Sequence, residues 1–311
     1  MKICMVGLGS IGQRHLRNIA NVMSKRRIDF TVDALRIRGK EIDGELEAFI
    51  SKEYRSFDAM PDDYDVIFVT NPTVFHHETV KQLISKTQHM FIEKPVFEKY
   101  RDLTDLDIGT GIYYVACPLR HKKVIAYIKN LVEQGMEFHS IRAISSSYLP
   151  DWRKGVDYRD VYSAQKKLGG GVELDLIHEW DYIMHLFGLP EKMYKLVDRC
   201  SDLEIDTEDI AVYIAKYADK ILELHLDYFG TETVRQLELI GNKKKYIVDI
   251  NRNTIKIVEH NKEDEQIDFG QDDFYLSEME YFFDLVEKEQ KSFNEIDRAN
   301  DLIRFVLEGQ S

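Results

Sequence analysis

From residue 2 to about residue 117, short apolar runs alternate with longer mixed segments. KICMV leads into a segment ending near Lys25, FTVDAL into one ending near Ser51, and DVIFVT into one ending near Ser85; MFI and YYVAC close the series. Apolar runs joined by helix-length segments are the mark of strands paired in parallel through helical crossovers. After His121 the rhythm changes. The pattern predicts a helix over 122–133 and a strand over 140–148, then a polar, aromatic-rich loop over 150–168. A loop of that length in a compact domain is usually functional or disordered.

ELDLIHEWDYIMHLFG has amphipathic helical spacing and is ended by Gly188 and Pro190. AVYIAKY, ILELHLDY, RQLELIG, KYIVDI and TIKIVE follow as strands. In the second of these, Leu222, Leu224, Leu226 and Tyr228 alternate with Glu223, His225 and Asp227. Such alternation gives one buried and one polar face, the habit of an open antiparallel sheet. Ser277-x-x-Glu280 reads as a capping box opening a helix over 277–288, and 299–307 reads as a last helix. The fold class expected is α/β plus α+β: a dinucleotide-binding type domain over 1–118, and a second domain over 119–311 with an open, largely antiparallel sheet.

Composition narrows the function. A chain of 311 residues that is 44% apolar has material for two cores. Its net charge of -13 repels phosphate backbones and anionic lipid heads, which argues against nucleic acid or a membrane surface as partner and leaves small molecules. The start lacks the features of a secretory leader, and no run of 18 apolar residues occurs. Cys4, Cys117 and Cys200 lack the C-x-x-C spacing of a thiolate metal site or a disulfide framework, and they fit a reducing cytoplasm. His76, His77, His178 and His225 lack H-E-x-x-H spacing, so no metal is expected.

Gly7-Leu8-Gly9-Ser10-Ile11-Gly12 stands between the first apolar run and a helical pattern. There G-x-G-x-x-G permits a tight turn, close approach of a pyrophosphate to the backbone, and anion binding at a helix N-terminus. At the end of the second run, where NAD would call for an acid, stand Arg36, Arg38 and Lys40. Cations there suit a 2'-phosphate, pointing to NADP over NAD, while nearby Asp33 keeps NAD open. Tyr162-x-x-x-Lys166 imitates the short-chain dehydrogenase pattern, but Gly169-Gly170-Gly171 cuts off the helix which that pattern needs. Asp175 and His178, three apart, share a face of the predicted helix, and a carboxylate beside an imidazole suits proton transfer at a hydroxyl. In the long loop, Tyr148, Trp152, Arg153, Tyr158, Arg159 and Tyr162 offer aromatic faces and guanidinium groups for a substrate, with anionic or nucleotide-linked sugars favoured.

The glycine motif, Thr70-Asn71-Pro72 with His76, Glu93-Lys94-Pro95, Arg120, and the glycine triplet before Asp175 and His178 together resemble the Gfo/Idh/MocA family of nicotinamide-dependent oxidoreductases, which act mostly on sugars, cyclitols and their derivatives. The resemblance spans almost the whole chain. It implies a Rossmann domain with cofactor contacts at Thr70, Asn71, Pro72, His76, Glu93 and Lys94. It also implies that Glu93-Lys94-Pro95 is a turn where cofactor and substrate meet, with Lys94 catalytic. His178 and Asp175 would share the proton transfer, and Arg120 would join the loop residues on the substrate. Many relatives separate that aspartate and histidine by four residues; the three found here change the angle between them by about 100°. The activity implied is hydride transfer between nicotinamide and a hydroxyl or keto group of a sugar, sugar acid, cyclitol or nucleotide sugar. Homodimers or homotetramers through the C-terminal sheet are implied as well. Two rivals follow: a glycosidase that uses bound NAD only transiently, and a non-catalytic dinucleotide-sensing regulator.

Overall fold

The structure is a computed structural model that describes residues 1–36, 42 and 44–309. Its chain divides into two compact units, residues 1–117 with 275–301 and residues 118–274 with 302–311.

The first unit is built on six strands: β1 (Lys2–Val6), β2 (Thr31–Leu35), β3 (Ile50–Tyr54), β4 (Tyr64–Val69), β5 (Thr87–Ile92) and β6 (Tyr113–Val115). Their order is β3-β2-β1-β4-β5-β6 and every neighbouring pair is parallel. The connecting helices are α1 (Ser10–Arg26), α2 (Gly44–Glu47) and α3 (His76–Leu83). Strand β3, whose ISKEY sequence has no apolar run, was not expected. In β1 and β4 nearly every residue is buried, because the sheet has packing on both faces. α1 inserts Leu16, Ile19, Val22 and Met23 into the core beside Phe68 and Phe91. The helix stops at Arg27, which adopts the left-handed conformation (φ 58°) and returns its N–H to the last turn.

The second unit carries α4 (Lys123–Glu133), β7 (Ser140–Tyr148), α5 (Val172–Asp175), α6 (Ile177–Phe187), β8 (Lys192–Asp198), β9 (Ile210–Lys216), β10 (Ile221–Asp227), β11 (Phe229–Ile240), β12 (Lys244–Asp249), β13 (Thr254–Glu259) and β14 (Glu265–Asp268). The eight strands form one sheet in the order β14-β13-β12-β11-β7-β10-β9-β8, antiparallel except for the β10–β7 pair. One face is buried through Leu222, Leu224, Leu226, Ala211, Tyr213, Leu237 and Leu239. The alternation expected in β10 holds as far as Leu226. Asp227, expected on the polar face, is buried, and accepts from Ser146 Oγ, His225 Nε2 and the N–H groups of Phe229 and Gly230.

Two helices complete the chain, α7 (Phe274–Lys288) and α8 (Ile296–Glu308). α7 begins a turn before Ser277, so the S-x-x-E spacing lies inside the helix and does not cap it. The expected continuous second domain over 119–311 is corrected here, since residues 275–301 belong to the first unit. The reason is apolar: Met279, Phe282, Phe283 and Leu285 of α7 are part of the core that holds α1, β4 and β5. Arg26 adds a polar fastening, with Nη2 donating to Asp284 at 2.6 Å and to the carbonyl of Glu280 at 2.7 Å. Among the described residues no helix is long and apolar enough to cross a membrane.

Candidate active site

In an open parallel sheet, ligands bind outside the carboxyl ends of the strands where the strand order reverses, here beside β1 and β4. Gly7 closes β1 with φ +88°, and a Cβ on it would lie 3.0 Å from the backbone of Asn71. A Cβ on Gly12 would sit 2.5 Å from the Gly7 carbonyl and 2.8 Å from Thr70 Oγ1. Gly9, the residue before α1, has nothing within 4 Å of its missing Cβ. Two of the motif's glycines therefore serve close packing, and the third leaves the helix N-terminus open to an anion. Thr70 Oγ1 donates to the carbonyls of Val6 and Gly7 and holds the turn in place. Asn71 donates to Thr79 Oγ1 at 2.8 Å, while its Oδ1 is buried with no partner among the described residues. Open backbone at Gly9 and Ser10 with an orphaned acceptor nearby fits a dinucleotide.

At the end of β5 the Lys94–Pro95 peptide is cis. Glu93, expected to contact the cofactor, turns inward. Its Oε1 lies 2.5 Å from His15 Nε2, and its Oε2 accepts the Lys94 N–H at 3.2 Å. His15 is fully buried on α1, packed edge-on against Phe91. Burial alone would raise Glu93, but the His15 hydrogen bond and the charges of His15, Lys94 and His76 outweigh it and hold the carboxyl below its ordinary range. His76 is buried as well. Its Nε2 meets the Asn71 carbonyl at 2.8 Å and its Nδ1 the Pro95 and Val96 carbonyls at 3.1 Å, so it staples the two loops together. Burial pulls its pKa down, against the pull of those carbonyls and of Glu93.

At the ends of β2 and β3, Arg36 Nη1 donates to Glu53 at 2.6 Å, and Arg55 Nη2 donates to the other oxygen of the same carboxylate at 2.9 Å. Arg38 and Lys40 lie outside the described residues. Asp33, the alternative acid, is buried and accepts from Tyr64 at 2.8 Å.

In the second unit, the predicted single helix bearing Asp175 and His178 is two pieces, α5 and α6. Leu176 adopts φ -96°, ψ 20° between them, and Glu179 N bonds to Leu176 O in a tighter i to i+3 step. The shared-face argument for the pair thus fails at the joint. Buried Asp175 accepts from the Tyr162 hydroxyl and from Tyr228 at 3.0 Å. Burial and Asp175 push both phenols well above their ordinary pKa, keeping them protonated donors. His178 Nε2 lies 2.8 Å from Arg235 Nη2, whose Nε donates to buried Glu179 at 2.7 Å. Burial would raise Glu179, but Arg235 and His178 hold it below its ordinary range.

The expected substrate residues divide. Arg120 forks onto Asp181 at 2.7 and 2.6 Å, with both side chains nearly buried, and Arg159 is taken by Asp157 and Glu204. Neither guanidinium is placed as a sequence reading of free anion receptors supposed. Tyr158 accepts the Glu204 N–H. Tyr148, Trp152 and Arg153 are exposed, and Trp152 stands edge-on to Tyr228 at 5.3 Å. Gly170 is required because a Cβ there would overlap the Tyr162 carbonyl. Tyr162 opens a single 3-10 turn (Tyr162–Ala164), not the long helix of the short-chain pattern. His15, Glu53, Glu179, Tyr228 and Arg235 were not singled out from sequence. The one signal available was that a buried phenol such as Tyr228 requires a polar partner.

Residues 1–107 match a family model, GFO_IDH_MocA, described as an oxidoreductase family with an NAD-binding Rossmann fold. The chain is 26% identical over 192 residues to an uncharacterized oxidoreductase of Bacillus subtilis, covering 59% of this chain and 53% of that protein. The chain thus spans about half the length of the first curated relatives it matches. It is 25% identical over 311 residues to myo-inositol 2-dehydrogenase of Thermotoga maritima, covering 94% of this chain and 87% of that one. A solved levoglucosan dehydrogenase, in complex with NADH and levoglucosan, superimposes with a TM-score of 0.84 at 13% identity, covering 99% of this chain and 96% of that one, a likeness of fold. With its glycine turn, its parallel sheet and its Glu-Lys-Pro turn, the first unit matches the Gfo/Idh/MocA oxidoreductase family over residues 1–107, with the NAD-binding Rossmann fold of that family.

Proposed function

We propose that the chain is an NAD(H)-dependent dehydrogenase or reductase acting on the CH–OH group of a neutral sugar or cyclitol. The observation that carries the proposal is the Glu93-Lys94-Pro95 turn, held by His15 and His76 at the carboxyl end of β5, two strands from the glycine turn of β1. The Gly9–Ser10 backbone at the start of α1 would hold the pyrophosphate of NAD(H), which when bound supplies or takes up a hydride. Lys94 Nζ binds the reacting oxygen and takes up or returns its proton. Glu93 and His76 fix the backbone from which Lys94 projects. Asp175 and His178 are proposed to take part in the proton transfer, with the Tyr162 and Tyr228 hydroxyls donating to Asp175.

The relatives named for myo-inositol and levoglucosan dehydrogenation support an uncharged, polyhydroxylated substrate. Of the cations expected to receive an anionic one, Arg120 and Arg159 are already matched by carboxylates. NAD(H) replaces the NADP(H) suggested by Arg36, because Glu53 already occupies that guanidinium. Self-association is proposed through the uncovered face of the second sheet, where Tyr194 and Leu196 stand 69% and 79% exposed and pair across to Ile214 and Val212. A single-chain mass in light scattering would remove that part.

The test is Lys94→Ala, assayed on a panel of sugars and cyclitols with NADH binding measured in parallel. The expected result is a chemical step slower by orders of magnitude with NADH affinity within about threefold. Undiminished turnover would refute the role of Lys94 and revive the non-catalytic regulator. Turnover with no net change in nicotinamide would favour the glycosidase.

A further inference from the structure

The adenosine ribose of a dinucleotide is recognised at the end of the second strand, conventionally by an acid on that strand. Here β2 ends in Leu35-Arg36, but the acid is present one strand over. Glu53 lies on β3, and the register pairs Ala34 with Glu53 and Leu35 with Tyr54. Arg36 N donates to the Tyr54 carbonyl at 3.0 Å, and Arg55 Nη1 donates to the Arg36 carbonyl at 2.8 Å, so the two strand ends are tied into one platform. Within it the Glu53 carboxylate bridges two guanidinium groups, Arg36 on one oxygen and Arg55 on the other. The Arg36 side chain is 10% exposed, that of Glu53 29%, and that of Arg55 60%, so the inner pair is largely shielded while Arg55 faces solvent.

We infer that Glu53 sets the choice between NAD(H) and NADP(H), an inference that rests on the dinucleotide reading of the glycine turn. A 2'-phosphate needs guanidinium donors at this platform. Glu53 takes those donors, and its charge opposes the phosphate at short range. The ribose diol of NAD(H) carries no charge and suffers neither effect. Glu53 thus acts as a built-in competitor for the 2'-phosphate, through a residue on the neighbouring strand and not on β2.

The test is calorimetric titration of the full chain and of Glu53→Gln with NADH and NADPH at fixed salt. Glutamine keeps the shape and removes the charge. The expected result is NADPH binding tightened about tenfold or more in Glu53→Gln, from loss of a like charge at contact range, with NADH changed less than about threefold. Adding Arg55→Ala to Glu53→Gln is expected to reverse most of the NADPH gain. An unchanged ratio of the two affinities overturns the inference and leaves the dinucleotide reading standing. So does a loss of NADH affinity with NADPH unaltered, which would make Glu53 a direct ribose acceptor. Binding of neither cofactor by the unaltered chain overturns both.

Discussion

The pair His15–Glu93 ties the helix of the glycine turn to the turn that bears Lys94, and a double-mutant cycle measures how firmly. His15→Leu removes the 2.5 Å partner of the buried Glu93 carboxylate and leaves it the Lys94 N–H at 3.2 Å with the more distant charges of Lys94 and His76. The His15 Nε2 contact is a hydrogen bond to a buried carboxylate, and removing one partner from such a buried carboxylate costs about 3–5 kcal/mol. Each single substitution, His15→Leu or Glu93→Gln, is therefore expected to cost about 3 kcal/mol. The double variant is expected to cost about 4 instead of 6, a coupling of about 2 kcal/mol. The folded Glu93 pKa is depressed, so its contribution is complete above the unfolded value of about 4.3 and is lost as pH falls through the folded one. Measurement at pH 7 catches it whole. Both tryptophans, Trp152 and Trp180, lie in the second unit, so fluorescence is blind to this change. Amide hydrogen exchange of β5 and α1 is the suitable assay. Additivity of the two single costs within about 0.5 kcal/mol would refute the coupling.

Two further outcomes follow from the same geometry. Gly9→Ala should leave stability unchanged, since its Cβ meets open space, yet weaken NADH binding at least tenfold; Gly12→Ala should destabilise the first unit by 1–3 kcal/mol through its 2.5 Å approach to the Gly7 carbonyl, and a swap of these phenotypes in melting and titration would contradict the assignment. Burial, with Arg120 beside it, brings His121 down to about 4, and burial with the charges of Arg120, Lys129 and His121 brings His185 to about 3. Both stay neutral in the fold while the unfolded chain protonates near 6.5, so stability is full above that pH and falls as pH drops toward 4. For His121 alone the loss between pH 7 and 4.5 is about 2 kcal/mol, with His185 adding less because it is more exposed; tryptophan fluorescence in urea reads it, and a flat profile would contradict it.

The strands that escaped the hydrophobic pattern are the sheet edges β3, β8 and β14. An edge strand has fewer buried neighbours and carries charges against unwanted pairing, so its pattern is weak. β8 goes further and inverts the rule. In KMYKLVD, Tyr194 and Leu196 face outward, while Lys195 turns inward to donate to Glu173 at 2.8 Å and to the Val306 and Leu307 carbonyls that end α8. A lysine that caps a helix more than a hundred residues away reads, in sequence, as a polar outward position. The central strands were legible for the opposite reason, since burial on both faces leaves an unbroken apolar run.

The site divides along the same line. Glycines at fixed offsets and a Glu-Lys-Pro at a strand end are local, and their spacing exposes them. What neutralises each charge is not local. Glu93 is answered by His15, 78 residues away, Arg120 by Asp181, 61 residues away, and Arg235 by Glu179, 56 residues away. A cation that looks available to an anionic substrate in sequence is available only if the fold has not already matched it. Of Arg120, Arg153 and Arg159, the fold matches the first and the third; Arg153 is exposed and, among the described residues, makes no ion pair. One surface guanidinium supplies too little to hold a diphosphate against water, whereas aromatic faces such as Trp152 and Tyr148 suit the apolar face of a sugar ring. The charge pattern supports the neutral polyol proposed as substrate, and a sugar phosphate or nucleotide sugar turned over faster than any neutral sugar or cyclitol would overturn that proposal.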